Sequence, residues 1–121
     1  MTLPTDGYLL RVFVGEQDRH DRRPLYEWIV SEAHSRGLAG ATALRGMMGF
    51  GRRSRVIHTS KIELLSEDLP VVVEIVDARD KLEDFLRHID PFIHGGLATM
   101  EKVEVRFYRA AEGGTGVGSR E

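Results

Sequence analysis

The chain has 121 residues, no cysteine and a formal net charge of −2, which excludes a disulfide frame, a thiolate metal site, a cysteine nucleophile and any bulk attraction to nucleic acid. With 41% hydrophobic against 30% charged residues it is too apolar for a disordered chain and suits a domain with its own core. No window approaches the roughly 20 apolar residues of a membrane span, and no basic segment precedes an apolar run at the N-terminus, so the expected location is the cytoplasm, without membrane insertion.

"YLLRVFV" (8–14) reads as a strand whose two faces, Tyr8, Leu10, Val12, Val14 and Leu9, Arg11, Phe13, are both largely apolar. "PLYEWIVSEAHSRG" reads as a helix, with Pro24 in its first turn, Leu25, Trp28, Ile29 and Ala33 on one stripe, and Gly37 at the C-terminal cap. "ATALRGMMG" (41–49) is a second strand, followed by a mobile loop to about Ser60 that carries most of a basic patch: Arg45, Arg52, Arg53, Arg55 and Lys61. "KIELL" (61–65) and "PVVVEIVD" (70–77) are β-like, either one bent strand or two short ones.

A second helix is expected over "DARDKLEDFLRHID", where Leu82, Phe85, Leu86 and Ile89 recur at helical spacing and Asp77 is placed to cap the start. Pro91 kinks it or opens a short piece through Ile93, and "HGG" ends it. "MEKVEVRFYR" (100–109) alternates Val103, Val105 and Phe107 with Glu104, Arg106 and Tyr108, a half-exposed strand. One domain is therefore expected over 1–109, with a flexible glycine-rich tail over 110–121.

The order β-α-β-β-α-β is that of an α+β, ferredoxin-like fold with both helices on one face of an antiparallel sheet. Its other face must also bury apolar side chains, so a homo-oligomer assembled sheet to sheet is expected.

No metal-binding spacing links the five histidines, and His34 and His88 read as exposed helix positions. The loop acids pair with no nucleophile, so no catalytic motif is legible. "MGFGRRSRV" shares glycines and cations with an RNA-recognition strand but lacks its stacking aromatic, and nucleic acid is not expected as a partner. As an anion site the loop is better equipped. Gly46, Gly49 and Gly51 allow close backbone approach, and Arg52, Arg53 and Arg55 bring forked donors suited to phosphate, so a nucleotide or phosphorylated metabolite is the natural guest.

"GYLLRVFVGEQDR", "PLYEWIV", "RGLAGATALRGMMGFG", "HTSKIELLSEDLPVVVEIVD" and "EKVEV" together resemble the prokaryotic family called domain of unknown function 190, grouped with PII-like proteins. The resemblance spans about residues 7 to 108. It implies a homotrimer similar to the nitrogen-regulatory PII proteins, with adenine nucleotide held in clefts between subunits and a loop over 49–60 that acts on a transporter, channel or enzyme. Gly49, Phe50, Gly51 and Arg52 stand where PII loops open with Gly-Phe-Gly-Arg. Arg53 replaces the glutamine that serves magnesium and 2-oxoglutarate there, and only Gly95, Gly96 and Lys102 stand for the second nucleotide-contacting loop. Arg106 and Arg109 are further candidates for phosphate contact. The alternative implied by the same fold is a trimeric divalent-metal-handling protein using His58 or His94.

Overall fold

A computed structural model describes residues 6–50 and 68–111. The expected loop beyond Phe50, the strand over 61–65 and all but the first two residues of the expected tail lie outside the described residues. Along the chain run β1 (Asp6–Gly15), β2 (Arg19–His20), β3 (Arg23–Pro24), α1 (Leu25–Ser35), β4 (Thr42–Arg45), β5 (Pro70–Asp77), α2 (Arg79–Ile89), a 3-10 turn (Asp90–Phe92) and β6 (Leu97–Glu104).

The main sheet is antiparallel, in the order β4-β5-β1-β6. Its sequence-order pattern, with each helix linking two strands that are not neighbours, is ferredoxin-like. Alternation within the strands sorts the two faces. Leu10, Val12 and Val14 of β1 and Val71, Val73 and Ile75 of β5 are buried and meet Leu25, Trp28, Ile29 and Ala33 of α1 and Leu82, Phe85 and Ile89 of α2. On the face without helices stand Leu9, Arg11 and Phe13 of β1, Val72, Glu74 and Val76 of β5, and Leu44, Leu97 and Val103 on the outer strands. One face of β1 thus packs against the helices, and the other keeps Leu9 and Phe13 on either side of Arg11.

Several elements differ from the sequence reading in ways that local chemistry explains. β4 is shorter than 41–49 because its ladder runs into Pro70, which has no N–H to give; Gly46 N donates to the Pro70 carbonyl at 2.7 Å and pairing ends. β6 starts earlier than residue 100 and stops at Glu104, the residue opposite the first residue of β1, Asp6. The two-residue strands β2 and β3 were not legible: their connecting residues Asp21 and Arg22 have φ of 54° and 71°, a primed hairpin turn built without glycine or asparagine. Pro24 is the N-cap of α1 and not a residue of its first turn. Pro91 is the second residue of a short 3-10 piece, Asp90–Phe92, close to the second of the two readings for it but ending one residue before Ile93.

Gly37 does close α1. Its φ is 78°, its N–H donates to the His34 carbonyl at 3.2 Å, and Leu38 N–H donates to the Ala33 carbonyl at 3.1 Å, the paired bonds of a Schellman cap. His88 is not a free surface residue. Its Nε2 lies 2.6 Å from Glu32 Oε1 and joins the two helices, beside a stack in which His20 sits 4.3 Å from Trp28 and 4.7 Å from Phe92.

Candidate functional site

The Schellman cap turns the chain out of α1 and sends residues 38–41 along the sheet end toward β4. What holds that segment is a carboxylate that the sequence assigned elsewhere. Asp77, 1% exposed at the end of β5, makes no capping bond into the first turn of α2; the N-cap is Ala78, which has no side-chain oxygen. Asp77 Oδ1 instead accepts from Ala78 N at 2.7 Å, Oδ2 accepts from Ala39 N at 2.9 Å, and the Lys81 ammonium stands 3.7 Å from Oδ2. A short strand-to-helix junction leaves the Asp77 side chain facing the core side, where the amide of Ala39 is the nearest unsatisfied donor.

The opposite wall is made by residues 105–108. Having left β6, they do not continue as a strand to 109 but run over the start of β1 toward the end of β5. Gly7 permits the crossing: a Cβ there would come within 2.9 Å of Val105 Cγ2 and 3.5 Å of Val76 Cγ1. The crossing ends where the Tyr108 hydroxyl donates to the Ala39 carbonyl at 2.6 Å.

Between these walls lies a cleft of about 560 Å³, lined by residues 39–42, by Glu74 and Val76 of β5, and by residues 103–108. Its floor is valine and alanine, its rim aromatic, and its charged groups are Arg106, Glu74 and Glu104. Glu74 is already engaged by Arg11 Nε at 3.0 Å, whereas the Arg109 guanidinium lies over the Phe107 ring at 4.3 Å. An apolar, aromatic-edged floor with one guanidinium at the rim suits a flat heterocycle carrying anionic groups. A depression on the outer face of α2, lined by Arg79, Asp80, Glu83 and Arg87, does not: Arg79 is paired with Glu83 and Arg87 with Asp84, each at 3.6 Å.

Of the residues expected from sequence to bind a ligand, Arg106 lines this cleft and Arg109 stands just beyond it. Lys102 is opposite Tyr8 in the register, on the helix-bearing side of β6. Gly49 and Phe50 are at the far end of the sheet, Gly49 with φ of 153° beside Pro70 and Phe50 65% exposed. Gly95 and Gly96 lie at that far end too, next to the Phe13–Leu97 pair that opens β6. Arg45 of the basic patch is committed to Glu16 at 2.7 Å. Gly51, Arg52, Arg53 and Arg55 fall outside the described residues, as does Lys61.

One chain thus separates the candidates into two groups by the length of the sheet, about 25 Å for strands of eight residues. The sequence reading missed Thr42, Glu74, Val76 and Tyr108, because each looks like an ordinary strand position until β5, β6 and the end of α1 converge. Among the described residues no group of three or more histidine, aspartate or glutamate side chains is placed to hold a metal ion, and no helix is long and apolar enough to cross a membrane.

Sheet order and two helices on one face define an α+β protein of ferredoxin-like fold, and the solved structures it superposes on are PII-like proteins. The chain belongs to the DUF190 family, an uncharacterized ACR family, whose model matches residues 7–105. A UPF0166 protein of Aquifex aeolicus is 41% identical over 97 residues, covering 80% of this chain and 90% of that protein. Among solved structures, CPII from Thiomonas intermedia K12 bound to ADP and bicarbonate superposes with a TM-score of 0.59 at 14% identity, covering 83% of this chain and 88% of that one. A putative PII-like signaling protein from Thermus thermophilus gives 0.57 at 18% identity, with 84% and 90% covered. At these identities the two structures establish the fold.

Proposed function

We propose that residues 1–109 form one PII-like regulatory unit that binds an adenine nucleotide or another anionic metabolite where two copies of the chain meet, and acts on a partner through residues 49–60. The cleft of about 560 Å³ carries this reading, because it offers an apolar floor and Arg106 at the edge of a sheet face that has no helix over it. That face exposes Leu44 and Leu97 and half-buries Leu9 and Phe13, an area that a second copy would cover. Copies packed sheet to sheet with the Gly49–Phe50 and Gly95–Gly96 end of one against the Arg106 end of the next would join the two groups of candidates, which a single chain cannot do. A homotrimer closes such an arrangement with every interface identical.

The ADP and bicarbonate bound to CPII support the ligand class. Binding acts by population shift: the ligand favours one conformation of the 49–60 segment, and the partner reads that conformation. The protein is a binding protein of the cytoplasm, not a catalyst, and its partner is a transporter, channel or enzyme.

Thermal unfolding of the purified protein with ADP, ATP, AMP and bicarbonate tests the proposal. A ligand at 100 times its Kd should stabilise each site by about 2.7 kcal/mol, a shift of several degrees. Loss of that shift in both Arg106→Ala and Arg52→Ala is the expected result. Silence of the unaltered protein toward all four compounds would remove the nucleotide reading, and a shift that survives both substitutions would remove the site.

A further inference from the structure

Ala39 is held by both of its backbone polar groups: its N–H by Asp77 at 2.9 Å and its carbonyl by the Tyr108 hydroxyl at 2.6 Å. We propose that this three-residue clamp sets the shape of the cleft, and that Tyr108 is a positioning residue whose hydroxyl acts on ligand affinity through Ala39. The inference rests on the ligand reading of the cleft given above, and goes beyond it by assigning the groups that fix its walls.

The two ends of the clamp differ in kind. Asp77 is fully buried, and its second oxygen is tied to Ala78 N at 2.7 Å at the start of α2, so this end is fixed to the core. Tyr108 is 46% exposed and sits past the last strand, next to Phe107 at 69%. A hydrogen bond in such a place exchanges readily with water and can open and close. The wall it holds, Leu38 to Ala41, runs from the positive-φ Gly37 through Gly40, and nothing stands within 4 Å of the position a Cβ would take at either glycine. The backbone there has freedom that neighbouring side chains do not remove.

Tyr108 also belongs to the opposite wall, so its hydroxyl joins one wall to the other across the mouth of the cleft. With the bond made, both walls are presented to a ligand in one arrangement. With it broken, binding must first order them, which weakens affinity by the fraction of molecules in the competent state.

Tyr108→Phe tests this, since it keeps the ring and removes only an exposed hydroxyl. Amide hydrogen exchange measured without ligand should be faster by roughly tenfold at Ala39, because with its carbonyl released only Asp77 still holds the residue and the N–H leaves that carboxylate more often. The Kd for ADP should rise roughly 3- to 10-fold. The melting midpoint of the free protein should stay in place, which separates positioning from a general loss of structure. Unchanged exchange at Ala39 would overturn the clamp, and faster exchange with unchanged ADP affinity would overturn the positioning role. If the unaltered protein binds no ADP, the nucleotide reading fails by itself; faster exchange in Tyr108→Phe then still supports the clamp and unchanged exchange still overturns it.

Discussion

Arg11 and Glu74 stand opposite each other in the register of β1 and β5, and the guanidinium Nε donates to the carboxylate at 3.0 Å in the middle of the sheet face that carries no helix. Glu101 of β6 approaches the same guanidinium at 3.4 Å from the other side. The hydrogen bond to Glu74 raises the Arg11 pKa above its ordinary value, against the opposing effect of desolvation, and the two negative charges add to the rise. A cation whose pKa is raised by folding contributes stability below its unfolded-state value and loses it only as pH climbs through the folded one. For an arginine both lie in the strongly alkaline range, so the bridge stays charged and intact across neutral pH.

Arg11→Ala is therefore expected to act on assembly more than on folding. It leaves Glu74 and Glu101 as like charges on a face that otherwise presents Leu9, Phe13 and Val72, and a second copy covering them would bury uncompensated carboxylates. Light scattering coupled to size exclusion should show a lower mass for the variant at matched concentration, with an unchanged far-UV spectrum. An unaltered mass would count against assembly through this face.

Asp77→Ala should destabilise the fold by about 2–4 kcal/mol, because it strands two amide donors, Ala39 N and Ala78 N, at a site that is 1% exposed. Asp77→Asn retains one acceptor oxygen and should cost less. Urea unfolding of the two variants gives the order directly. Equal midpoints for Asp77→Ala and the unaltered protein would mean that water reaches both amides.

Phe85→Ala should cost about 3–5 kcal/mol, since Phe85 is 1% exposed at the contact of α2 with the sheet. A loss under about 1 kcal/mol in the same urea measurement would contradict the close packing expected of such a core position.

That core position was legible from sequence, and the contrast with the cleft shows why. Leu82, Phe85 and Ile89 announce α2 by spacing alone, and the two faces of β1 announce a sheet with one side left open. Each of those signals lies within a single element. The cleft depends on pairs such as Tyr108 and Ala39, 69 positions apart, and on the absence of a Cβ at Gly7 that lets the last segment cross. His88, read as exposed, meets Glu32 across 56 positions for the same reason. Nothing in the local pattern of "RFYR" distinguishes a strand that continues past Glu104 from one that leaves the sheet there.

Two glycine substitutions compare backbone conformation alone with backbone conformation joined to close approach. Gly37→Ala meets no atom within 4 Å, so its cost is that of a left-handed alanine at φ of 78°, about 1 kcal/mol. Gly96→Ala would place a Cβ 2.5 Å from the carbonyl oxygen of Phe13, a backbone atom of the central strand β1, at a φ of 157° that already disfavours a side chain, and should cost about 2 kcal/mol or more as β1 and β6 move apart. The sequence reading assigned Gly96 to a ligand; the contact with Phe13 gives it a structural task that is present without one. Chemical denaturation of the two variants without ligand decides between these roles. A greater loss for Gly96→Ala than for Gly37→Ala supports the structural task, whereas a Gly96→Ala protein of unchanged stability but weakened ADP binding would return that glycine to the ligand site.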